Sequence, residues 1–209
     1  MARWRPLAVD DLPGPAGGDR WAAVLLHGQP GSRQDWAKVA ALLAGELRVL
    51  VPDRPGYGAT GGRPLGFAGN AEAVLGLLDR LGIERVVAVG HSWGAGVALA
   101  LAARHPQRVA GLVLAAPVGA QAAVTRLDRA VALPLAGAAV AALTFKTVGR
   151  LLLVRGVRRR LAELRPATSE AWLESTGRAW SGRVWRSWLY EQRALVAETP
   201  PLWSRTRQR

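Results

Sequence analysis

The chain has 209 residues, of which 50% are hydrophobic, with a formal net charge of +13 and no cysteine. This length suits one domain, or one domain with an inserted cap, and the absence of thiols excludes disulfides and thiolate metal sites. No apolar run of signal-peptide length follows the basic residues Arg3 and Arg5. We therefore expect a cytoplasmic protein with no metal and no cofactor.

Positive charge is concentrated in the second half of the chain. Residues 121–209 contain 16 Lys and Arg against 6 Asp and Glu, whereas residues 1–120 contain 12 against 9. A basic half can attract nucleic acid or an anionic membrane. An arginine-rich and alanine-rich composition of the kind that GC-rich coding produces is the simpler explanation, so we expect neither partner.

Four short apolar runs in the first half predict buried strands, at Ala22–Leu26, Leu47–Val51, Val86–Val89 and Ala110–Ala115. Apolar residues recur at helical spacing between these runs, and the Pro and Gly of residues 1–20 predict an irregular start. Strands that are apolar throughout and alternate with helices are typical of a parallel sheet covered on both faces. We therefore predict an α/β fold with a doubly wound, mostly parallel sheet.

The pattern changes after the fourth strand, and no further strand is predicted. The segment Leu133–Phe145 is apolar, but basic residues follow it before it reaches the roughly 18–20 uncharged residues that span a bilayer. An amphipathic or buried helix is therefore predicted there. Residues 170–198 are also predicted to be helical, with tryptophans that pack internally or form an aromatic pocket. We divide the chain into a sheet-containing core, 1–120, and a helical region, 121–209.

One segment between the third predicted strand and the next helix carries the clearest chemical signal, Gly90-His91-Ser92-Trp93-Gly94. A strand, the pattern G-x-S-x-G and a helix form a nucleophile elbow. The turn is so tight that only small residues fit two positions on either side of the serine. Its strained backbone lifts the serine hydroxyl clear of the sheet edge, so the sequence predicts Ser92 as a nucleophile.

Three other loops also follow the carboxyl ends of predicted strands, and ligands of parallel sheets bind at this edge. We therefore expect His27, Tyr57 and Pro117 from these loops to line a substrate pocket. Asp53 lies in one of the loops and precedes the elbow in the chain. We expect it to fix its own loop through Arg54 or backbone amides.

Three motifs and Trp36, in their order and spacing, resemble those of the α/β-hydrolase superfamily. The motifs are His27-Gly28-Gln29-Pro30-Gly31, which precedes Trp36, Asp53-Arg54-Pro55-Gly56-Tyr57-Gly58 and the elbow. The resemblance covers residues 20–120 well and the following helices loosely. It implies that Ser92 is the nucleophile and that the backbone N–H groups of Gln29 and Trp93 form an oxyanion hole. It also implies that residues 120–200 form a helical cap over the pocket.

A serine at the elbow narrows the chemistry that the resemblance implies. Relatives that open epoxides or remove halogens need a carboxylate at this position, because they form an alkyl ester. Ser92 instead favours acyl transfer, as in an esterase, a lipase, an amidase or an enzyme that hydrolyses a carbon–carbon bond of a diketone. We expect the substrate to be a small hydrophobic ester or a related carbonyl compound.

The resemblance also implies an acidic residue and then a histidine after the cap, and the sequence shows neither. No histidine follows His105, and neither His27 nor His91 is expected to act as the base. The chain stops near residues 200–203, about where the next core strand is expected, so we expect a truncated form of a longer protein with a bare sheet edge. A serine without a base is a poor nucleophile, which leaves the activity of this chain open.

A second hypothesis is a non-catalytic binding or interaction protein of the same fold. Its basic, tryptophan-rich C-terminal half would then contact a partner.

Asp128 follows the fourth predicted strand and is a weaker candidate for the acid of a triad. The sequence does not predict the oligomeric state.

Overall fold

The computed structural model describes residues 6–15, 21–118, 124–165 and 167–206, and a sheet lies at its centre. The strands are β1 (Val9–Leu12), β2 (Trp21–Leu26), β3 (Arg48–Pro52), β4 (Arg85–His91) and β5 (Val109–Ala115). They lie in the order β1-β3-β2-β4-β5. β1 runs antiparallel to β3, and the other three pairs are parallel. The predicted mostly parallel sheet is therefore confirmed.

Helices cover both faces of this sheet. They are α1 (Ala37–Leu43), α2 (Phe67–Arg80) and α3 (Trp93–Arg104). Successive side chains of a strand point to opposite faces. In β2, Val24 and Leu26 pack with α2 and α3, whereas Ala23 and Leu25 pack with α1. The doubly wound arrangement predicted from the uniformly apolar strands is thus present.

Five further helices follow within residues 124–206: α4 (Arg126–Val131), α5 (Pro134–Leu153), α6 (Arg155–Leu164), α7 (Glu170–Ser181) and α8 (Val184–Thr206). α8 packs against α2 and α3 as well as against α5. Phe145 lies between Trp180 and Trp188, with ring centroids 5.1 and 5.3 Å away. These two tryptophans are half-buried and pack against Phe145 within the helical region.

Some local predictions differ from the structure. β1 forms in a stretch predicted to be irregular, because it pairs with β3 and because Arg48 forms an ion pair with Asp11 at 2.6 Å. The single helix predicted at 170–198 is two helices, which separate at Gly182. The described residues contain no strand after β5, as the sequence predicted, and α8 continues to Thr206. The predicted domain boundary at 120/121 lies outside the described residues.

Helix α5 is longer than its sequence pattern predicted. It has 20 residues and a mean hydropathy of 1.4 in its most apolar window, which is enough in length and composition to cross a membrane. The helix nevertheless contains Lys146 and Arg150, so its uncharged run is as short as the sequence predicted. Its buried residues recur every three or four positions, at Gly137, Ala141, Phe145, Gly149 and Leu152. This periodicity is that of an amphipathic helix packed on a protein core.

Strand β5 is the edge strand of the sheet within the described residues. Its residues Leu112 and Val113 are 39% and 52% exposed. An apolar strand edge with free backbone groups is a template for pairing with another chain. The apolar edge expected from the sequence is present.

We expect Val113→Lys to reduce self-association of this chain, because a charge on an edge strand opposes pairing between copies. Light scattering as a function of protein concentration would measure the change. Val39→Lys is the matched control, since Val39 is 40% exposed on α1 and away from any strand edge. Equal scattering by the two variants would show that the β5 edge does not cause association.

Candidate active site

Ser92 lies in a tight turn between β4 and α3. Its backbone angles are φ 52° and ψ −117°, a conformation that costs energy for any residue with a side chain. A Cβ on Gly90 would lie 2.4 Å from Ala95 Cα, and one on Gly94 would lie 2.2 Å from Leu26 O. The turn therefore excludes side chains at both glycine positions. This is the strand–turn–helix geometry of a nucleophile elbow.

Hydrogen bonds join this turn to the loop after β5. The Ser92 N–H donates to Ala115 O at 2.9 Å, and the Val118 N–H donates to Ser92 O at 3.3 Å. Among the described residues, no hydrogen bond of the Ser92 hydroxyl is present. The backbone of Ser92 is thus held on both sides while its hydroxyl remains available to a ligand.

The loop after β2 passes very close to the elbow. A Cβ on Gly28 would lie 3.2 Å from Ser92 Cβ. Gln29 follows Gly28, and Trp93 is the first residue of α3, where a backbone N–H has no acceptor within the helix. The two N–H groups predicted to form the oxyanion hole are therefore carried by segments that meet at Ser92. Their role stays a prediction.

His27 is fully buried at the start of this loop. The Arg54 N–H donates to His27 Nε2 at 3.0 Å, so the proton of the neutral ring lies on Nδ1, which donates to Gly28 O at 2.9 Å. Burial, and then the charge of Arg54, hold the pKa of His27 well below its ordinary value. The ring is therefore neutral, and both of its nitrogens are already hydrogen-bonded to backbone groups.

The side chain of Arg54 connects this loop to α8. Its Nε donates to His27 O at 2.9 Å and its Nη2 donates to Gly28 O at 2.8 Å. Its guanidinium also forms an ion pair with Glu191, whose carboxylate accepts a 2.6 Å hydrogen bond from the Tyr57 hydroxyl. Burial raises the pKa of Glu191, while Arg54 and Tyr57 act in the opposite direction. Burial and the Glu191 charge raise the pKa of Tyr57, so its hydroxyl stays protonated and donates.

Asp53 fixes its loop, as expected, but its charged partner is Arg33 rather than Arg54. Its carboxylate accepts hydrogen bonds from the backbone N–H groups of Arg33 and Ala59, each at 2.8 Å, and it pairs with the Arg33 guanidinium at 3.2 Å. Asp128 lies in the first turn of α4, where its carboxylate accepts from the N–H and the hydroxyl of the N-cap residue Thr125. These contacts give both carboxylates a structural part.

A cavity of about 1000 Å³ lies beside Ser92. The loop after β2, the start of α1, the elbow and residues 167–178 line it. Trp172 Nε1 donates to Asp35 Oδ1 at 2.9 Å, and Lys38 Nζ donates to Ala167 O at 2.8 Å. The helical region therefore forms part of the wall around Ser92, where a cap would lie.

Gln29 and Ser92 line this cavity, whereas His27, Tyr57 and Pro117 do not. Tyr57 borders an adjoining cavity of about 270 Å³, which shares Trp172 with the first. The pocket role predicted for His27, Tyr57 and Pro117 stays a prediction, and the contacts of His27 and Tyr57 favour a structural part.

None of the three histidines is hydrogen-bonded to Ser92. His27 is bound to its own loop, and His105 contacts Glu72 at 3.1 Å at the end of α3. His91 is exposed and borders the same cavity as Ser92. The orientation of its side chain away from the hydroxyl stays a prediction. A base for the serine proton is therefore not in place among these side chains.

Comparison with known proteins places this geometry in a family. The family described as the alpha/beta hydrolase fold matches residues 24–187. The chain belongs to this family. The resemblance inferred from the three sequence motifs is thereby confirmed.

Individual relatives match smaller parts of the chain. 2-Hydroxymuconate semialdehyde hydrolase of Pseudomonas sp. (strain CF600) is 39% identical over 49% of this chain and 38% of its own length. Epoxide hydrolase B of Mycobacterium tuberculosis (strain ATCC 25618 / H37Rv) is 40% identical over 43% of this chain and 27% of its own length. The chain thus spans well under half the length of these curated relatives. The Cfl2 structure from Burkholderia cenocepacia has a TM-score of 0.67 and 27% identity, covering 97% of this chain and 72% of Cfl2.

Sequence reasoning missed Glu191, which lies on α8 far from the motifs. The signal that could have found it is a lone carboxylate in phase with the buried residues Ser187 and Leu195 of that helix. A charged residue on a buried helix face needs a partner of opposite charge. Only the folded chain brings that partner, Arg54, to it.

We expect Gly94→Ala to lower the free energy of unfolding by about 2–4 kcal/mol, because its methyl group would overlap the Leu26 carbonyl. Gly76→Ala is the matched control: it lies within α2 with no atom within 4 Å of its Cβ position. The free energy of unfolding of that variant should rise by about 0.5–1 kcal/mol, because alanine lowers the chain entropy of the unfolded state. Urea unfolding measures both, and a similar change in the two variants would contradict the tight turn.

We expect the free energy of unfolding to fall as the pH is lowered below 6.5, the ordinary pKa of histidine, with a slope of up to about 1.4 kcal/mol per pH unit from His27. The pKa of His27 is depressed in the folded state, so the unfolded chain takes up this proton first. Urea unfolding at several pH values would show a smaller slope in His27→Gln than in the wild type. An unchanged slope in His27→Gln would contradict the neutral buried ring.

Proposed function

We propose that this protein is a serine hydrolase that acts on a small hydrophobic ester or a related carbonyl compound through Ser92. The observation that carries the proposal is the position of Ser92, in a left-handed turn on the wall of a cavity of about 1000 Å³. The backbone N–H of Trp93, the first residue of α3, follows Ser92 directly. This arrangement combines a nucleophile, room for a substrate and a donor for developing negative charge.

The identity of the nucleophile separates this chemistry from that of the epoxide hydrolases among the similar proteins. A carboxylate that opens an epoxide forms an ester, whose carbonyl water can then attack. A serine that attacked the same carbon would form an ether, which has no carbonyl and would not be hydrolysed. Ser92 is therefore suited to substrates that already contain a carbonyl group.

Acyl transfer proceeds in two steps, acylation of Ser92 and hydrolysis of the acyl-enzyme. The Ser92 Oγ attacks the carbonyl carbon, the oxyanion is bound by the N–H groups of Gln29 and Trp93, and the leaving group departs with the serine proton. Water then attacks the acyl-enzyme, releases the carboxylic acid and restores the hydroxyl. Each donor of an oxyanion hole contributes about 3–4 kcal/mol to such a transition state.

Proton transfer from Ser92 is the step for which the described histidines offer no hydrogen-bonded base. Without a hydrogen-bonded base the hydroxyl is a poor nucleophile at neutral pH. We therefore expect the acylation of this chain to be slow, with the oxyanion hole and substrate binding supplying what catalysis there is. A cytoplasmic location is part of the same proposal.

A second candidate function is ligand or partner binding without turnover, and the same lack of a bonded base favours it. The basic helical region would then bind an anionic surface or nucleic acid, with an affinity that falls as salt rises. Sedimentation with anionic vesicles and a DNA gel shift, both at low salt, test this candidate. Absence of binding in both would remove it.

We expect an alkyl fluorophosphonate in excess to add one phosphonyl group to Ser92 slowly, because the oxyanion hole stabilises attack by the hydroxyl while no bonded base assists it. Intact-protein mass spectrometry should show the added mass in the wild type and none in Ser92→Ala. Ser32→Ala is the matched control, since Ser32 only caps a short 3-10 helix, and it should be labelled like the wild type. Equal labelling of Ser92→Ala, or none of the wild type, would contradict acyl transfer through Ser92.

A further inference from the structure

The Arg54 guanidinium controls the direction of a backbone unit beside Ser92. It holds Gly28 O, and the His27 ring holds the same oxygen from Nδ1. The carbonyl of Gly28 and the N–H of Gln29 belong to one planar peptide unit, in which the two groups point in opposite directions when the bond is trans. The hydrogen bonds on Gly28 O therefore set where the Gln29 N–H points.

The same guanidinium also contacts the second segment of the site. It lies over the ring of Trp93, 4.6 Å from the centroid, and Trp93 Nε1 donates to the backbone carbonyl of Glu191 at 3.4 Å. Trp93 carries the other N–H predicted for the oxyanion hole. Arg54 and Glu191 thus touch both backbone segments that flank Ser92.

Glu191 is what keeps Arg54 in this place. Arg54 is 1% exposed and Glu191 is 0% exposed, so neither charge can be satisfied by water. The Glu191 carboxylate accepts from both terminal nitrogens of the guanidinium and from Tyr57. A guanidinium that lost this partner would remain charged, and it would have to move towards water or draw the loop with it.

We propose that Glu191 of α8 is a positioning residue for the oxyanion hole. Through Arg54 it fixes the peptide unit between Gly28 and Gln29, and through the same contact it fixes Trp93 against the elbow. The helical region thereby sets the geometry of the site on the sheet without touching the substrate. The effect of Glu191 on catalysis rests on the proposed function. Its effect on the position of the two backbone segments can be measured without any turnover.

The experiment compares Glu191→Gln with Glu198→Gln by amide hydrogen exchange and mass spectrometry. Glu198 is two turns further along α8 and its carboxylate accepts the Ala68 N–H at 3.2 Å, so it is a partly buried glutamate with a bond to α2 rather than to Arg54. We expect Glu191→Gln to raise exchange at least tenfold in peptides that contain residues 26–31 and 92–96. Glu198→Gln should leave those peptides unchanged.

Kinetics supply a second readout that a general loss of stability would not produce. With a p-nitrophenyl ester as substrate, we expect Glu191→Gln to lower kcat on the order of tenfold to a hundredfold with little change in KM, because the oxyanion forms only in the transition state. Arg54→Lys should behave alike, since an ammonium cannot hold both carbonyls and the carboxylate in one plane. Glu198→Gln should keep the kcat of the wild type.

The outcomes separate the two proposals. A folded Glu191→Gln with unchanged exchange at both segments, or with a rise spread equally over α2 and β4, overturns the positioning role even where the wild type is active. A wild type without turnover contradicts the proposed function, and the exchange data still decide the positioning role. If Glu191→Gln does not fold, Tyr57→Phe replaces it, because this change removes one donor from the same carboxylate. A rise in hydrogen exchange confined to the two segments then supports the positioning role. Unchanged exchange contradicts it.

Discussion

The guanidinium of Arg54 is shut off from water, and a charge in that position needs its acceptors from the protein itself. It obtains them from the loop after β2 and from Glu191 on α8, and it packs over the ring of Trp93. One side chain therefore joins the sheet, the elbow and the helical region. None of the three can move far without leaving a buried charge or a buried carbonyl without a partner.

The elbow adds a second constraint, which is steric. Gly90 and Gly94 let β4 and α3 approach until only hydrogen fits between them and their neighbours, and Ser92 is forced into a left-handed conformation as a result. A strained turn of this kind is maintained only because the surrounding backbone is fixed. The buried Arg54 pair and the packed glycines thus support the same few residues from different sides.

The sequence predicted four of the five strands within one or two residues, because buried parallel strands are marked by short runs of apolar residues. β1 escaped prediction since its sequence, Val-Asp-Asp-Leu, carries no apolar run and its pairing with β3 is the reason that it forms. The elbow was predicted because a tight turn demands small residues at fixed positions, and the loop after β2 because its Gly and Pro residues interrupt regular structure. Glu191 carried no such mark, because its importance depends on a contact with a residue 137 positions away.

The sequence by itself determined the α/β architecture and the position of Ser92 in a tight turn, since periodicity and the steric demand for glycine are local properties. Only the tertiary structure decided what surrounds Ser92. It showed that Asp53 pairs with Arg33, that His27 is a buried neutral ring, that α7 contributes to the cavity wall, and that Arg54 and Glu191 neutralise each other. The physical reason is that ion pairing, desolvation and cavity shape depend on which distant segments meet, and a linear pattern does not contain that information.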